Sequence, residues 1–365
     1  MEDETKPAPA PFDGLVPIEH LRKVLKEHVR PDGGKVLLLT HRTPDPDALG
    51  ALSGLAFLLR RAFGIDPEVA TVGRIFRAEN LTMVRELDLH FSDYEKLDAS
   101  EYQGVLLVDT QPSFGHTALP SGLPILAVFD HHQAPENDDG VRALHHDVRL
   151  GVGSTATIVY EYLRDGGIAM DEPTATALAC GIRFDTGDLS MSVTPLDEEA
   201  FFETFRQADR QMMARIAHPP LPSSYYRELH RSLTRARRHG PLAFGLLGRV
   251  SNPESVAEMA DFFLRMEGAR WAFVGGEYKG LYHVSLRTDL AFGMAYPLMS
   301  RILGGEGSFG GRGSVAGGQI TLEIVDDQVL RRLERRLRTR MLALINNDEL
   351  SDTDPRYGTR LTRLP

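Results

Sequence analysis

The chain has 365 residues, 42% of them hydrophobic and 25% charged, a composition that excludes fibrous and disordered classes and a length that favours two hydrophobic cores over one. Its net charge of −10 argues against tight nonspecific binding to long duplex DNA, which rests on neutralising many phosphates, and leaves short anionic substrates open. The lone cysteine, Cys180, excludes a disulfide framework and a Cys-rich zinc site, and its Ala-Leu-Ala-Cys-Gly-Ile setting reads as packed core.

Residues 1–14 are acidic and Pro-rich where a signal peptide would be basic and then apolar, and no apolar run approaches bilayer length. A flexible tail, a cytoplasmic location and no membrane partner are the expectation. Pro17 to Val29 carries helical spacing through Ile18, Leu21, Val24 and Leu25. Lys35 to Thr40 suits a buried parallel strand; the polar segment HRTPDPDALG follows, and an apolar helix runs from Leu49 to Phe63. Further strands are predicted at Pro67 to Val72, Gly104 to Asp109 and Ile125 to Asp130, and a helix at Thr155 to Leu163. This alternation predicts an α/β domain over residues 15–205, a parallel sheet covered by helices. In such sheets the ligand crevice lies beyond the carboxyl ends of the strands, and Asp109 and Asp130 close two of them.

Residues 206–239 are charged, Arg-rich and helical, with His218-Pro-Pro-Leu-Pro222 as punctuation, and read as a helical linker. Within it Arg227 to Arg238 reads as a solvated helix face, with a nucleic-acid track as the minority reading. A smaller α/β unit is predicted over residues 240–345. It has strands at Ala243 to Val250, Trp271 to Glu277 and Tyr282 to Arg287, a helix from Pro253 to Met266, and a glycine-dense loop from Gly304 to Gly318. Residues 346–365 read as a polar tail, and His116, His145 and His146 as loop histidines.

Four short segments place hard ligands at expected strand ends: His41-x-x-x-Asp45-x-Asp47, Asp109, Asp130-His131-His132, and Asp185 within Gly-Ile-Arg-Phe-Asp-Thr-Gly. Each has a plainer reading, as a helix cap or a Pro-punctuated turn. Their conjunction favours a two-metal site, and aspartates with some imidazole and no thiolate suit Mn²⁺ or a similar ion. Paired ions usually share a bridging carboxylate.

The order of these segments resembles the DHH phosphoesterase family, specifically its members that carry a DHHA1 domain. His41 to Gly50 looks like the first motif, Leu107-Val-Asp109 the second, Asp130-His131-His132 the third and Ala179 to Gly187 the fourth; Gly151 to Ala156 resembles the segment opening the next helix. The resemblance implies that His41 and Asp45 bind one Mn²⁺, that Asp47, His131 and Asp185 bind a second, and that Asp109 bridges them, with Mg²⁺ or Co²⁺ as substitutes. Asp130 would orient a histidine and His132 would face the scissile phosphate. In the second domain Gly310-Gly311-Arg312-Gly313-Ser314 resembles the DHHA1 glycine motif, preceded by a strand ending at Arg287. The family usually presents a histidine where this chain has Arg312, a residue that can itself grip phosphate. Arg287 also reads as a solvent-exposed strand arginine. The implied substrate is a short oligonucleotide, a linear dinucleotide or a 3′-phosphorylated nucleotide, with pyrophosphate or polyphosphate hydrolysis and silent nucleotide binding as rivals. A homodimer is a family-level expectation.

Overall fold

Apolar strands alternating with amphipathic helices build the first of two units, Met1–Pro219 and Pro220–Pro365. The computed structural model describes residues 11–30, 34–115, 117–134, 143–191, 193–289, 293–346 and 359–360. His116 and most of the two expected tails lie outside them. No described helix is long and apolar enough to cross a membrane.

In the first unit α1 (Pro17–His28) precedes β1 (Lys35–Leu39), α2 (Pro46–Phe63), β2 (Glu68–Thr71), α3 (Ala78–Glu86) and β3 (Ser92–Asp93). Then come β4 (Tyr102–Val108), β5 (Ile125–Asp130), β6 (His145–Val148), α4 (Thr155–Asp165), α5 (Glu172–Asp185), α6 (Pro195–Gln207) and α7 (Arg210–Ala217). The sheet order is β3-β2-β1-β4-β5-β6 with every pairing parallel. Both faces are covered, so β1 is apolar nearly throughout. Val36 and Leu38 enter the core shared with α1, α2 and α4, and Leu37 and Leu39 enter the core on the opposite face. The chain steps outward from β1 to β2 and β3, then returns to the other side of β1 as β4. That reversal opens a crevice at the carboxyl ends of β1 and β4.

Three expectations change. The helix expected from Leu49 begins at Pro46, because Asp45 caps it by accepting from the Ala48 N–H and proline suits the first helical position. Asp47 therefore sits in a helix's first turn. Asp185 ends α5 and not a strand; Asp171 caps that helix, and Ala175, Ala177 and Ala179 favour it. His145 lies in β6, fully buried, bonded through Nδ1 to His20 (2.8 Å) and through Nε2 to the Tyr162 hydroxyl (2.6 Å). Its neighbour His146 is exposed on the same strand. Cys180 is buried in α5, where burial pushes its thiol up to about 11.

The second unit contains α8 (Ser223–Arg235), β7 (Arg237–His239), β8 (Leu242–Arg249), α9 (Glu254–Leu264), β9 (Trp271–Tyr278) and β10 (Leu281–Thr288). It continues with α10 (Ala295–Leu303), β11 (Ser308–Arg312), β12 (Val315–Thr321), α11 (Asp327–Asn346) and β13 (Thr359–Arg360). The sheet runs β11-β12-β10-β9-β8-β7-β13, with β8 and β9 parallel and the other pairs antiparallel. Thus residues 206–239 hold two helices and a strand that joins the second sheet, and Thr359–Arg360 pair with that strand. The glycine-dense segment is a β-hairpin and not a loop. A Cβ at Gly311 would lie 2.5 Å from the Val315 carbonyl oxygen and one at Gly318 2.7 Å from that of Ser308, so these glycines let two backbones pack closely. Gly313 in the hairpin turn takes a left-handed conformation at φ +54°, as do Gly304, Gly305 and Gly307 ahead of the hairpin.

Candidate metal centre

Four chain segments converge at the β1/β4 crevice. His41 follows β1 by two residues, Asp109 comes immediately after β4, Asp130 is the last residue of β5, and His131 and His132 follow it. The loop bearing His41 is pinned by buried Asn80, whose Nδ2 donates to the Pro44 carbonyl at 2.8 Å. Helix α2 supplies Asp45 at its cap and Asp47 in its first turn, and α5 supplies Asp185 at its last residue. Both helices are brought close by glycine. A Cβ on Gly50 would meet the Ala177 carbonyl oxygen at 2.5 Å, and one on Gly181 the Pro46 carbonyl oxygen at 3.1 Å.

Three ligand groups form, each with its donor atoms within 4.8 Å of one another: His41, Asp45 and Asp109; Asp47, His131 and Asp185; and Asp109, His131 and His132. The third shares Asp109 with the first and His131 with the second, so the set is continuous. His41 Nε2 stands 3.5 Å from Asp109 Oδ2, and His131 Nε2 stands 3.0 Å from Asp185 Oδ2, 3.8 Å from Asp109 Oδ1 and 3.9 Å from Asp47 Oδ2.

The surrounding hydrogen bonds fix these atoms. Asp47 accepts from the backbone N–H groups of Thr155 (2.7 Å) and Ala156 (2.9 Å) at the start of α4, where the helix dipole favours negative charge. The Thr155 hydroxyl donates to Asp109 Oδ1 at 2.8 Å. Asp109 itself has φ +56°, an uncommon left-handed conformation that aspartate tolerates better than most residues, and its N–H donates to the Phe129 carbonyl. Asp130 is fully buried; it accepts from the His131 N–H (2.9 Å), the Gln111 amide (2.6 Å) and His132 Nδ1 (2.8 Å). Gln111 also donates to the His132 carbonyl at 2.7 Å. Sequence reasoning missed Gln111, Asn80 and the Thr155 hydroxyl. The only signal was a polar residue just past each strand or at a helix start.

Charge at the site is unbalanced without a cation. Burial and the negative charges of Asp185 and Asp109 push Asp45 up to about 7. Burial and Asp109 lift Asp47 well above the carboxylate range. Burial would raise Asp109 too, but the His41 hydrogen bond and the charges of His132, His41 and His131 outweigh it and hold that carboxyl below its usual range. Burial lowers His131, yet the Asp185 carboxylate 3.0 Å from Nε2 and the charges of Asp47 and Asp109 outweigh it and raise it to about 10. Assigning the His131 tautomer from its Nδ1 contact to the Val152 carbonyl (3.2 Å) leaves Nε2 facing the carboxylates. That nitrogen is buried with no hydrogen bond of acceptable geometry. An orphaned imidazole nitrogen amid crowded carboxylates fits divalent cations, for which bound protons are the substitute in the metal-free protein.

The second unit places the other predicted residues. Gly310 and Gly311 lie in β11, which ends at Arg312; Gly313 and Ser314 form the turn, and the Ser314 carbonyl accepts from the Thr288 N–H at 2.8 Å. Gly310 pairs with Gly317, which pairs with Ser285, and a Cβ at Gly310 would meet nothing within 4 Å. A bare patch of backbone results. Arg287 is 13% exposed and held by Asp261 and Ser285, so the reading of a solvated strand arginine fails.

Residues 35–182 match the family described as DHH family, N-terminal domain. An uncharacterized protein of Methanocaldococcus jannaschii is 32% identical over 322 residues, 86% of this chain and 65% of its own length. A probable manganese-dependent inorganic pyrophosphatase of Streptococcus pyogenes is 27% identical over 173 residues, 46% of this chain and 54% of its own. The chain thus spans from about half to just under two thirds of these relatives. Among solved structures, an exopolyphosphatase-related protein from Bacteroides fragilis superposes with a TM-score of 0.69 at 15% identity, covering 90% of this chain and 97% of that one, a likeness of fold. The residues that match the DHH N-terminal domain hold every metal-ligand candidate except Asp185, three positions beyond, so the similarity to that family falls on the part of the chain that builds the candidate centre.

Proposed function

We propose that the protein is a phosphoesterase working with two Mn²⁺ ions, and that its substrates are short oligonucleotides, linear dinucleotides or 3′-phosphorylated nucleotides. The observation that carries this reading is the set of ligand groups joined through Asp109 and His131. His41 and Asp45 would hold one ion and Asp47, His131 and Asp185 the other, with Asp109 shared. Two such ions supply an acidified nucleophile and neutralise phosphoryl oxygens.

The chain's own groups do the rest. Asp130 holds His132 through Nδ1, which leaves Nε2 of this half-exposed ring to move a proton or steady charge on the phosphoryl group. The Thr155 hydroxyl and the α4 amides fix the rotamers of Asp109 and Asp47. In the second unit the open backbone at Gly310, with Ser285 and Arg287 on the same face, offers donors for a phosphate, and Arg312, Gly313 and Ser314 complete that proposed patch. The DHHA1 label for this unit, a cytoplasmic location, a homodimer and the lack of long-duplex binding belong to the same proposal.

A second reading, pyrophosphate or polyphosphate hydrolysis, is favoured by the streptococcal relative. Phosphate and nucleotide release should be measured with Mn²⁺ from a short 5′-phosphorylated oligoadenylate, 3′-phosphoadenosine phosphate and pyrophosphate. Nucleotide turnover lost in Asp109→Ala is the expected result. Pyrophosphate turnover alone would replace the first reading by the second, and turnover of none would refute both.

A further inference from the structure

Asp197 is a carboxylate that belongs to none of the three ligand groups. It lies in the first turn of α6 and is fully buried. Oδ1 accepts from the Thr157 hydroxyl (2.7 Å) and the Gly153 N–H (3.1 Å). Oδ2 accepts from the same Gly153 N–H (3.0 Å), the Thr194 N–H (2.8 Å) and the Thr194 hydroxyl (2.6 Å). The Thr194 contacts close a capping box at the start of α6 and explain an acid at this position of the helix. They do not explain the other half of the carboxylate, which reaches 40 and 44 residues back to the segment that opens α4.

That segment holds three of the ligand candidates. The Gly153 N–H and the Val152 carbonyl belong to one planar peptide group, and His131 Nδ1 bonds that carbonyl at 3.2 Å. Asp197 therefore grips, from the far side, the same peptide plane that orients the His131 ring. Four residues on, the Thr157 hydroxyl held by Asp197 also meets Ser154 Oγ at 2.9 Å, and Ser154 caps α4 by accepting from the Thr157 N–H at 3.0 Å. Thr155 and Ala156 lie between these anchored residues. Their N–H groups hold Asp47, and the Thr155 hydroxyl holds Asp109. Ligand side chains must be kept within about 0.5 Å of their working positions, so the seat of this segment matters to the centre.

The seat requires a carboxylate. Gly153 and Thr194 each present a fixed backbone donor, and each oxygen of Asp197 faces at least one of them. Asparagine in either orientation points an NH₂ group at a backbone N–H.

We infer that Asp197 is a positioning residue for the metal centre, seating residues 152–157 so that His131, Asp47 and Asp109 converge, a role that rests on the two-ion reading of that centre. Its effect reaches the ligands through the backbone of the α4 start and not by contact with an ion or a substrate.

The test is titration of full-length, metal-stripped protein with Mn²⁺, following the electron paramagnetic resonance signal of the free ion. Asp197→Asn should weaken Mn²⁺ binding by about tenfold or more, as loss of a partner behind a metal ligand does. Thr157→Val, a milder cut of the same strap, should weaken it by a smaller factor and decides the matter if Asp197→Asn fails to fold by circular dichroism. Thr194→Ala removes the capping box but leaves the contacts to Gly153 and Thr157, so it should melt earlier than wild type yet bind Mn²⁺ nearly as well. Wild-type affinity in Asp197→Asn, or in Thr157→Val where the first variant is unfolded, overturns the role of Asp197 alone. A loss in Thr194→Ala equal to that in Asp197→Asn also overturns it, because affinity then follows stability and not the seat of α4. Wild type that takes up no Mn²⁺ overturns the two-ion reading and the role of Asp197 with it.

Discussion

Stripping the metal centre should make the protein's stability fall as pH rises, and adding Mn²⁺ should reverse that fall. In the metal-free protein Asp45 is pushed up to about 7 by burial and its carboxylate neighbours. A group whose folded value is raised stabilises the fold below its unfolded value, and that contribution is lost as pH climbs through the folded one. From the ordinary aspartate value near ~3.9, the rise is worth up to about 4 kcal/mol against the ionised, metal-free fold. Asp47 adds in the same direction. His131, raised to about 10, begins to withdraw its own contribution above the ordinary imidazole value of ~6.5. The depressed carboxyl of Asp109 contributes stability above the usual carboxylate range and loses it only below, outside the window of interest.

Between pH 5.5 and 7.5, then, stripped protein should lose on the order of 10 °C in melting temperature, since ~1 kcal/mol is worth ~2–4 °C in a domain of this size. Divalent ions displace the protons, so the gain from a fixed free Mn²⁺ concentration should grow with pH. Thermal melts by circular dichroism at pH 5.5, 6.5 and 7.5, with EDTA and with Mn²⁺, decide it. A gain that is flat across pH, or stripped protein that is more stable at 7.5 than at 5.5, would refute the picture of crowded carboxylates awaiting cations.

Gly50→Ala forces a Cβ against the Ala177 carbonyl oxygen, so denaturant titration should show a loss of about 1–3 kcal/mol, and Mn²⁺ affinity should fall as α2 and α5 part. Asp130→Asn keeps the shape of the buried side chain but weakens its hold on His132. Turnover of whichever phosphoester substrate proves active should drop by about tenfold to a hundredfold with a shifted pH–rate profile and a nearly constant KM; an unmoved profile would confine Asp130 to a structural role. Tyr162→Phe removes the hydroxyl that joins His145 to Asp147, costing about 1–2 kcal/mol by chemical denaturation with unchanged activity per folded molecule; a stability equal to wild type would contradict the buried network.

Much of the first unit was legible because its signals are local. β1, β4 and β5 are apolar runs each ending next to a polar residue, and the spacing from His41 to Asp47 or from Asp130 to His132 is short enough to read directly. Legibility failed where partners are distant in sequence. His145 looks like a loop histidine until His20, 125 positions earlier, is placed beside it. Asp185 followed a short apolar run that fits strand or helix equally, and only the cap at Asp171 settles the period. Glycines from Gly304 to Gly318 argue for a loop by propensity, but the pairing of β11 with β12 and of β12 with β10 overrides it. The role of Thr155 depends on Asp109, 46 residues away, which no spacing rule encodes.

The left-handed backbone at Asp109 also bears on how such a protein could change over generations. Apart from glycine, asparagine is the neutral residue that accepts φ +56° most readily, and it matches aspartate in shape, with one base change between their codons. A lineage released from selection for the proposed catalysis can therefore discard this carboxylate without breaking the turn that follows β4. Asn at this position would mark descendants that kept the fold and gave up the chemistry, whereas a β-branched residue there would mark a fold under repair.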